Sequence, residues 1–463
     1  MVSPTAPRPE LLLAYYGDDF TGSTDALEAL TLAGVPTVLF FQTPDAQALQ
    51  RFPQARAVGL AGHARGRGPG WMREHLAPAL QALAALGAPV LHYKVCSTFD
   101  SSPGIGSIGC AIDLGVPLMP ARWSPMVVGV PRLGRYTAFG HLFAMGQAQG
   151  AGPRQGFRLD RHPTMSRHPV TPMAESDLAV HLGAQTDRRR ALVDFTQLKR
   201  GDGDSAVQAA AAGDDTPVVL IDVLDDETLL EAGRLVWQHR AGGVFSASSS
   251  GLSYALAAHW QASGLLAGPA LLPAAGPVPA IAVVSGSCSP VTAGQIAWAL
   301  DHGFAGHRLS PQSLWSDDTA AVGAAVDAAC AALDAGACPL VYTARGPDDP
   351  AVQQFADHAR AAGLSREDAA LRTGQALARV MQGLLDRKPA LRRVAVAGGD
   401  SSGEVAAALG VQALTMQARL APGAPLCRAW SALPARDGLE LVLKGGQVGE
   451  ADFFGRVRDG LAS

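Results

Sequence analysis

The sequence predicts an α/β protein of two domains, each with a mainly parallel or mixed sheet flanked by helices. Short apolar runs alternate with turn residues and with Ala- and Leu-rich stretches of helical period, which is typical of strand-helix units. The 463 residues exceed what one ordinary core holds, and 48% of them are hydrophobic whereas 17% are charged. This composition excludes a disordered chain.

The predicted elements follow one another with short connections. Strands are predicted over residues 11–16, 37–41, 90–95, 126–130, 218–223, 280–284, 339–343 and 394–397. Helices are predicted over about 22–33, 71–86, 226–239, 290–302, 318–335, 350–362, 366–387 and 403–409. Three prolines and a glycine interrupt the pattern over 271–279, so we expect domains at 1–270 and 278–463. The Gly-, Gln- and Ala-rich stretch 146–156 is predicted to be a surface loop.

Charge and cysteine usage narrow the class of partner. The net charge of -4 and the isoelectric point near 6.3 provide no basic surface for a nucleic acid. The six cysteines are scattered and suggest neither a disulfide framework nor a zinc site. The first ten residues do not resemble a secretion signal, and the run after them is too short to span a membrane. We expect a cytoplasmic protein with small-molecule partners, which could also form a homo-oligomer.

Two adjacent carboxylates follow the first predicted strand. Asp18 and Asp19 lie in the sequence GDDFTGSTD, directly before a helix. Open α/β sheets bind ligands at the carboxyl ends of their strands, where these acids could hold sugar hydroxyls, accept a proton or bind Mg²⁺. Helix capping is the alternative, but a cap does not need two acids. Asp18 and Asp19 are therefore the candidate catalytic residues, and Thr21 is a further substrate contact.

A second polar segment follows the strand predicted at 90–95. Lys94 could pair with a carboxylate or a phosphoryl group, while Ser97, Thr98 and Asp100 could bind hydroxyls. A plain Ser-rich turn explains the same residues equally well. Just beyond, residues 104–109 match the dinucleotide fingerprint GxGxxG, but no strand directly precedes them and no acidic residue ends a strand about 20 residues later. A dinucleotide site there is an unfavoured alternative.

A basic segment offers a third set of candidate substrate contacts. Arg158, Arg161 and His162 are followed by Arg167 and His168, and together they could bind a small anion. A solvated loop is an equally good reading of this segment.

Three polar loops in the second predicted domain each follow a strand. The first places Ser289 as a helix N-cap with proline after it, so that backbone N–H groups and hydroxyls meet at a positive helix terminus, a natural phosphate site. Paired glycines in the other two let the backbone approach a ligand. No GxxxxGK[ST] stretch is present, so this is not a standard P-loop. The candidate phosphate contacts, which would be ATP contacts if this domain binds ATP, are Ser285, Gly286, Ser287, Ser289, Gly398, Gly399, Asp400, Ser401, Ser402, Gly403, Lys444, Gly445 and Gly446.

These motifs together resemble those of the four-carbon acid sugar kinase family. The order GDDFTGSTD, SGSCSPVT, GGDSSG and LKGGQVG spans almost the whole chain. The resemblance implies an N-terminal substrate domain and a C-terminal nucleotide domain. It further implies transfer of the terminal phosphoryl group of ATP, with Mg²⁺, to a hydroxyl of an acid sugar in the cleft between them, as a step of carbohydrate catabolism.

The chain departs from the family in its Lys94 segment. Members that act on threonate- or erythronate-like acids carry Lys-x-Asp-Ser-Thr-x-Arg-Gly, whereas this chain has Cys96 in place of the acid and Asp100 in place of the base. The reversed charge means that the substrate carboxylate is held elsewhere, with Arg158, Arg161 or Arg167 as candidates. The pattern is closer to members that phosphorylate a branched or oxo acid sugar such as 3-oxo-isoapionate. An NAD-dependent oxidoreductase and a non-catalytic sugar-acid sensor are the alternative functions.

Overall fold

The structure is a computed structural model that describes residues 10–147, 154–167, 171–315 and 319–462. The chain forms two compact units. The first comprises Met1–Val38 and Gln42–Ala270, and the second comprises Leu39–Phe41 and Leu271–Ser463. No helix among the described residues is both long and apolar enough to cross a membrane.

Eleven strands begin in the first unit and seven in the second. Those of the first are β1 Leu13–Gly17, β2 Thr37–Phe40, β3 Ala57–Ala61, β4 Val90–Lys94, β5 Ser124–Val127, β6 Arg135–Ala138, β7 His141–Gln147, β8 Arg154–Arg158, β9 Arg190–Val193, β10 Val218–Ile221 and β11 Val244–Ser248. Those of the second are β12 Ala282–Ser285, β13 Phe304–Arg308, β14 Cys338–Tyr342, β15 Arg393–Ala397, β16 Val411–Ala421, β17 Ala424–Ser431 and β18 Glu440–Lys444. These counts cover the described ranges only.

The helices lie between the strands. In the first unit they are α1 Phe20–Leu32, α2 Ala46–Gln50, α3 Pro69–Trp71, α4 Ala77–Ala84, α5 Ile108–Gly115, α6 Leu178–Gly183, α7 Phe195–Arg200, α8 Gly203–Ala210, α9 Asp226–Gln238 and α10 Ser250–Ala262. A π-helical turn, Met72–Leu76, joins α3 to α4. In the second unit they are α11 Pro290–Leu300, α12 Ala320–Asp334, α13 Pro350–Gln353, α14 Phe355–Ala361, α15 Arg366–Arg387, α16 Gly399–Ala408 and α17 Phe453–Asp459.

The first unit contains a parallel sheet whose central strand is β1. The strand order is β11, β4, β1, β3, and each neighbouring pair is parallel. All residues of these four strands are buried, as continuous apolar runs covered on both faces require. A second parallel sheet has the order β5, β10, β9. Parallel strands place their carboxyl ends at one edge, and the polar residues that follow β1, β3 and β4 therefore come together.

An antiparallel ribbon of β6, β7 and β8 also belongs to the first unit. The predicted surface loop at 146–156 is wrong at both ends, because residues 146–147 continue β7 and residues 154–156 begin β8, paired in register. Glycine and glutamine are weak strand formers, so the pairing is decided by the neighbouring strand. The part of this stretch from 148 to 153 lies outside the described residues.

The second unit is built on a mixed sheet with the strand order β16, β17, β18, β15, β12, β14, β13. The strands from β18 to β13 are parallel, whereas β16, β17 and β18 pair antiparallel. Residues 39–40 at the end of β2 pair with β16. The core beneath includes Ile296, Phe304, Phe453 and Phe454, all buried. Both units therefore have the α/β class with sheets and flanking helices that the sequence predicts.

Candidate functional site

The first polar cluster forms where β1, β3 and β4 end side by side. Gly17, the last residue of β1, is in register with Ala61 of β3 and with Lys94 of β4. The chain leaves these strands into Asp18 and Asp19, into residues 62–65, and into residues 95–101. Asp18 N donates to the Lys94 carbonyl at 3.0 Å, which fixes the first of these loops beside the third.

Asp19 caps α1 and also binds a cation. Its Oδ1 accepts the Gly22 N–H at 2.6 Å, and its Oδ2 accepts the Thr21 hydroxyl at 3.2 Å. Its Oδ2 also lies 2.6 Å from Arg65 Nη1, and the Asp19 side chain keeps 23% of its surface exposed. Asp19 does cap the helix, as the alternative explanation states. Capping does not explain the contact with Arg65 or the second acid, because an N-cap needs neither.

Asp18 is held more tightly than Asp19. Arg65 binds it through two parallel contacts, Nε to Oδ2 at 3.0 Å and Nη2 to Oδ1 at 2.7 Å, and the Asp18 side chain is only 6% exposed. Burial raises the pKa of Asp18, Arg65 opposes that shift, and Asp19 adds to it. Burial alone would lower the pKa of Arg65. The carboxylates of Asp18 and Asp19 outweigh burial, so the pKa of Arg65 is raised overall. The guanidinium therefore stays charged between the two acids.

Lys94 is a buried cation at the end of β4. Its Nζ lies 3.4 Å from Asp25 Oδ2, and only 4% of its side chain is exposed. Burial lowers its pKa, but Asp25, Asp19 and Asp18 outweigh that effect and the pKa is raised overall. The Lys94 head group packs against Gly22, where a Cβ atom would stand 2.5 Å from Nζ. A larger residue at position 22 would therefore have to displace this head group and Asp19 Oδ1, which the Cβ atom would approach to 2.3 Å.

The segment after Lys94 forms a chain of short polar contacts. The Cys96 sulfur lies 2.9 Å from Thr98 Oγ1, and that hydroxyl donates to Asp100 Oδ1 at 2.6 Å. Burial, with Asp100, raises the pKa of the Cys96 thiol. Ser97 is half-buried next to them. The structure therefore places Ser97, Thr98 and Asp100 in the loop after β4, on the same edge as Asp18 and Asp19.

Ser101 anchors the segment from behind. Its hydroxyl lies 2.9 Å from His181 Nε2 and accepts from Gln185 Nε2 at 3.0 Å. Phe99 has a positive φ of 56°, a conformation that costs a non-glycine residue free energy and is maintained here by the surrounding contacts. The loop conformation therefore depends on residues about 80 positions further along the chain.

The GxGxxG match at 104–109 is built against protein backbone. A Cβ at Gly106 would meet the Arg65 carbonyl at 2.5 Å, and one at Gly109 would meet the Gln185 backbone at 2.5 Å. The segment follows the 95–101 loop and not a strand. These two glycines are packed against protein backbone, which occupies the space that a dinucleotide would need. The structure therefore disfavours the dinucleotide alternative.

The basic segment is neutralised locally. Arg158 donates to both oxygens of Asp160 at 2.7 and 2.6 Å, and Arg161 lies 3.5 Å from the same carboxylate. His162 is buried and accepts the Thr164 and Met165 N–H groups through Nδ1. Within the described part of the chain, none of these three residues bonds to Asp18 or Asp19. Arg167 is described, whereas the predicted His168 lies outside the described residues.

The second polar cluster lies at the equivalent edge of the second unit. Ser285 of β12 is in register with Ala397 of β15, and Ala397 is in register with Lys444 of β18. Gly286 N donates to the Ala397 carbonyl at 3.0 Å, and Gly398 N donates to the Lys444 carbonyl at 2.9 Å. The three predicted loops therefore start from adjacent strand ends.

Thr292 connects two of these loops. Its hydroxyl accepts from Ser287 Oγ and from Lys444 Nζ, each at 3.0 Å, and donates to the Gly446 carbonyl at 3.0 Å. Ser289 caps α11 by accepting the Thr292 N–H at 3.0 Å, and its hydroxyl also donates to the Gly446 carbonyl. Gly445 lies between Lys444 and this carbonyl. The predicted cap at Ser289 is present, and its hydroxyl simultaneously joins the loops.

The GGDSSG stretch is mostly helical. Only Gly398 forms the turn, with φ of 120°, whereas α16 begins at Gly399 and includes Asp400, Ser401, Ser402 and Gly403. The prediction of a helix beginning at 403 is wrong because one left-handed glycine suffices to reverse the chain, and helical hydrogen bonds form directly after it. A Cβ at Gly286 would stand 2.2 Å from Ser401 Oγ, so the first two loops pack closely against each other at this glycine. Asp400 is exposed in the first helical turn.

Lys444 is fully buried, and its Nζ bonds to the Thr292 hydroxyl and to no carboxylate among the described residues. Burial lowers its pKa to about 7. Its Nζ lies 5.7 Å from the centre of the Phe453 ring. Ser285 Oγ is also buried without a hydrogen-bond partner among the described residues. An unneutralised ammonium and an unpaired hydroxyl at a helix N-terminus are suited to an anionic ligand such as a phosphate chain.

Magnesium has no preformed protein cage in the described part of the chain. No group of three or more His, Cys, Asp or Glu residues could hold a metal ion there. This fits Mg²⁺ as a companion of ATP, because Mg²⁺ keeps several waters and is usually bound by one or two carboxylates plus substrate phosphates. Asp400 is the candidate carboxylate nearest to the phosphate-type loops in sequence.

Sequence reasoning missed several residues that complete the two clusters. Arg65 lies 47 positions from Asp18, and the only available signal was the apolar run of β3 before it. Asp25 and Thr292 both stood within the motifs, and the spacing of three residues between Ser289 and Thr292 could have identified Thr292. His181 and Gln185 carried no local signal.

Family models match most of the chain. A model described as a sugar-binding N-terminal domain matches residues 13–256, and a model described as a nucleotide-binding C-terminal domain matches residues 282–454.

Curated relatives match the chain over nearly its full length. A 3-oxo-isoapionate kinase from Paraburkholderia graminis is 62% identical over 98% of this chain and 96% of its own. A 3-oxo-tetronate kinase from Cupriavidus necator is 33% identical over 97% of this chain and 96% of its own.

Solved structures share the fold. A Salmonella typhimurium protein described as a putative tRNA synthase gives a TM-score of 0.75 at 24% identity, over 96% of this chain and 98% of its own. A Haemophilus influenzae protein gives a TM-score of 0.70 at 23% identity, over 96% and 99%.

The fold, the two clusters and the matched domains define a two-domain kinase of small acids. The chain belongs to the four-carbon acid sugar kinase family and is an ATP-dependent acid sugar kinase that uses Mg²⁺.

Proposed function

We propose that this kinase phosphorylates a hydroxyl of a branched oxo acid sugar, with 3-oxo-isoapionate as the first candidate substrate. The observation that carries the proposal is the 62% identity to a relative with that named substrate, over 98% of the chain. The departure of Cys96 and Asp100 from the threonate-type pattern supports a substrate other than the linear four-carbon acids.

The first unit is proposed to bind the acid sugar at the edge formed by β1, β3 and β4. Asp18, Asp19, Thr21 and Lys94 lie there, and Ser97, Thr98 and Asp100 follow β4 on the same edge. Carboxylates and hydroxyls in this arrangement can bind several substrate hydroxyls at once. A contribution from Arg158, Arg161 and His162 stays a prediction, weakened by the Asp160 pairing.

Asp19 is proposed as the residue that positions the accepting hydroxyl and takes its proton. It is the more exposed of the two acids, whereas Asp18 gives both oxygens to Arg65. Arg65 holds both carboxylates in place, so Asp18 acts chiefly as the partner that fixes Arg65. Because phosphoryl transfer relies mostly on positioning and charge stabilisation, orientation of the nucleophile is the larger part of this role.

The second unit is proposed to bind ATP through its three loops. Backbone N–H groups at the start of α11 and α16 can face phosphate oxygens, and Lys444 can neutralise their charge. Mg²⁺ bound with the nucleotide would neutralise further phosphate charge. We propose the domain limits 1–270 and 278–463 for these two roles, and a homo-oligomer stays a prediction.

The test is a coupled ADP-release assay with Mg-ATP on 3-oxo-isoapionate and on a panel of four- and five-carbon acid sugars. Asp19→Asn should lower kcat roughly 10²- to 10⁴-fold on the best substrate, the range for loss of a positioned acid–base group. Asp45→Asn is a matched control, because Asp45 is also an N-cap that accepts a backbone N–H, at 2.7 Å, but on an exposed helix.

Two results would contradict the proposal. Absence of ADP release by the wild-type protein across the panel would refute the substrate class. Equal turnover of Asp19→Asn and Asp45→Asn would remove Asp19 from the reaction.

A further inference from the structure

The charges around Asp18 leave an acid substrate without a free cation. Arg65 is shared by Asp18 and Asp19, and Lys94 pairs with Asp25. Both cations are therefore already neutralised by carboxylates, and Asp100 adds another acid on the same edge. A substrate carboxylate brought into this cluster would be repelled unless a further cation faces it.

The segment after β5 starts at the same edge of the first unit. Ser248, the last residue of β11, is in register with Lys94, and its carbonyl accepts the Val95 N–H at 2.8 Å. The Ser248 hydroxyl in turn accepts the Val127 N–H at 2.9 Å. These bonds fix the end of β5 next to the start of the 95–101 loop, so residues 128–135 leave from there.

Arg135 is a cation on this segment that no carboxylate neutralises. Its Nη1 donates only to the Leu133 and Gly134 carbonyls, each at 3.2 Å. Its Nε is buried and has no hydrogen-bond partner among the described residues. Among the described residues, the charged neighbours of Arg135 are Cys96 and Arg154, and no carboxylate pairs with it. The undescribed residues of the first unit contain no Asp or Glu, so the sequence offers no hidden acid there.

The backbone holds Arg135 in a fixed place. Val130 and Arg135 exchange two hydrogen bonds, with N···O distances of 2.8 and 3.1 Å, which closes the turn before β6. Burial lowers the pKa of Arg135 and Arg154 lowers it further, whereas Cys96 would raise it only as a thiolate. The half-buried Cys96 thiol stays neutral at neutral pH because its own pKa is raised. Cys96 is thus a neighbour of Arg135 that does not cancel its charge.

The geometry points to Arg135 as the residue that binds the substrate carboxylate. This inference rests on the proposed function and assigns the specificity of the same site. A guanidinium with unused N–H groups matches a carboxylate in shape and charge. Cys96 explains why the cation is available, since the aspartate that the threonate-type pattern carries at this position would pair with Arg135 itself.

The experiment measures KM and kcat of the full chain with Mg-ATP and the acid substrate that the wild type turns over fastest. Arg135→Gln should raise KM for the acid roughly 10- to 100-fold, the loss of a charge-assisted hydrogen-bond pair. The kcat and the KM for ATP should change less than about threefold, because Arg135 contacts neither the nucleotide nor the accepting hydroxyl. Arg200→Gln removes an exposed arginine of the same unit and should leave both parameters unchanged.

A second variant tests the inference from the other side. Cys96→Asp should supply the missing partner of Arg135 and raise KM for the acid in the same direction, whereas Cys96→Ser should not. In the double variant with Arg135→Gln, the effect of Cys96→Asp should be smaller than in the wild type, because the pair no longer exists.

The outcomes separate the two ideas. A wild type that turns over no acid sugar refutes the proposed function. A wild type that does so, with an unchanged KM in folded Arg135→Gln, overturns the role of Arg135. If Arg135→Gln fails to fold, as judged by circular dichroism and thermal melting, an unchanged KM in Cys96→Asp overturns it instead.

Discussion

Lys444 should make nucleotide binding depend on pH in a defined direction. Burial lowers its pKa to about 7, so the free protein holds a largely neutral amine at pH 8 and an ammonium at pH 6. ATP phosphates favour the charged form, so binding should raise this pKa. Above about pH 7, ATP binding should therefore be accompanied by uptake of a proton at Lys444, which approaches one proton per ATP as the pH rises.

The magnitude follows from the pKa. With a value of about 7, roughly nine in ten Lys444 side chains are neutral at pH 8, so ATP binding should take up about 0.9 proton there and about 0.1 proton at pH 6. If only the protonated form binds ATP well, the Kd should rise about tenfold for each pH unit above 7.

The assay is isothermal titration with Mg-ATP at pH 8 in two buffers of different ionisation enthalpy, whose difference gives the protons taken up. Lys444→Met keeps an unbranched buried side chain, one atom shorter and without the amine, and should abolish the uptake. Lys444→Arg keeps a charge at every pH and should bind ATP with a Kd that no longer rises above pH 7. Protonation of ATP itself cancels because all variants bind the same ligand. Equal proton uptake by the wild type and Lys444→Met would refute the reasoning.

Two further predictions concern close packing and a buried ion pair. Gly22→Ala should lower kcat/KM for the acid sugar at least about tenfold without changing the KM for ATP, because its Cβ would stand 2.5 Å from Lys94 Nζ. Arg393→Met should lower the free energy of unfolding by about 3–5 kcal/mol in chemical denaturation, because it strips Glu440 of a partner at 2.7 Å and leaves buried carbonyls unpaired.

Matched controls exist for both. Gly70→Ala also adds a Cβ to a helical glycine, but nothing lies within 4 Å of it, so activity should be unchanged. Arg387→Met removes an arginine that is 52% exposed and should cost less than about 1 kcal/mol. A silent Gly22→Ala, or equal losses of stability in Arg393→Met and Arg387→Met, would contradict the corresponding prediction.

Much of the fold was predictable because the strands of a parallel sheet are continuous apolar runs. The strand predicted at 11–16 is β1 at Leu13–Gly17, and the helix predicted at 366–387 has those bounds in α15. The hairpin of β16 and β17 was missed, since its short apolar runs are broken by polar residues and its pairing is antiparallel and interrupted by register shifts. The strands β6 and β8 were missed because polar and charged residues dominate them, and β7 was missed because its pairing with them decides its conformation.

Some residues of the candidate site could likewise be predicted from the sequence, and others could not. Asp18, Asp19 and Lys94 could be identified because each stands where an apolar run ends, which is a local signal. Arg65 and Arg135 could not, because nothing in the residues around an arginine tells whether a carboxylate will lie beside it.

The sequence by itself determined the class of fold, the strand ends that carry polar residues and, through its motifs, the kinase family. Only the tertiary structure decided which charges are already neutralised. Arg65 is shared by Asp18 and Asp19, and Arg158 is paired with Asp160, whereas Arg135 bonds only to carbonyls and its Nε has no partner among the described residues. The physical reason is that a motif specifies only residues that are close in sequence. Electrostatic pairing depends on distances of a few ångströms, often between residues that are far apart in the chain.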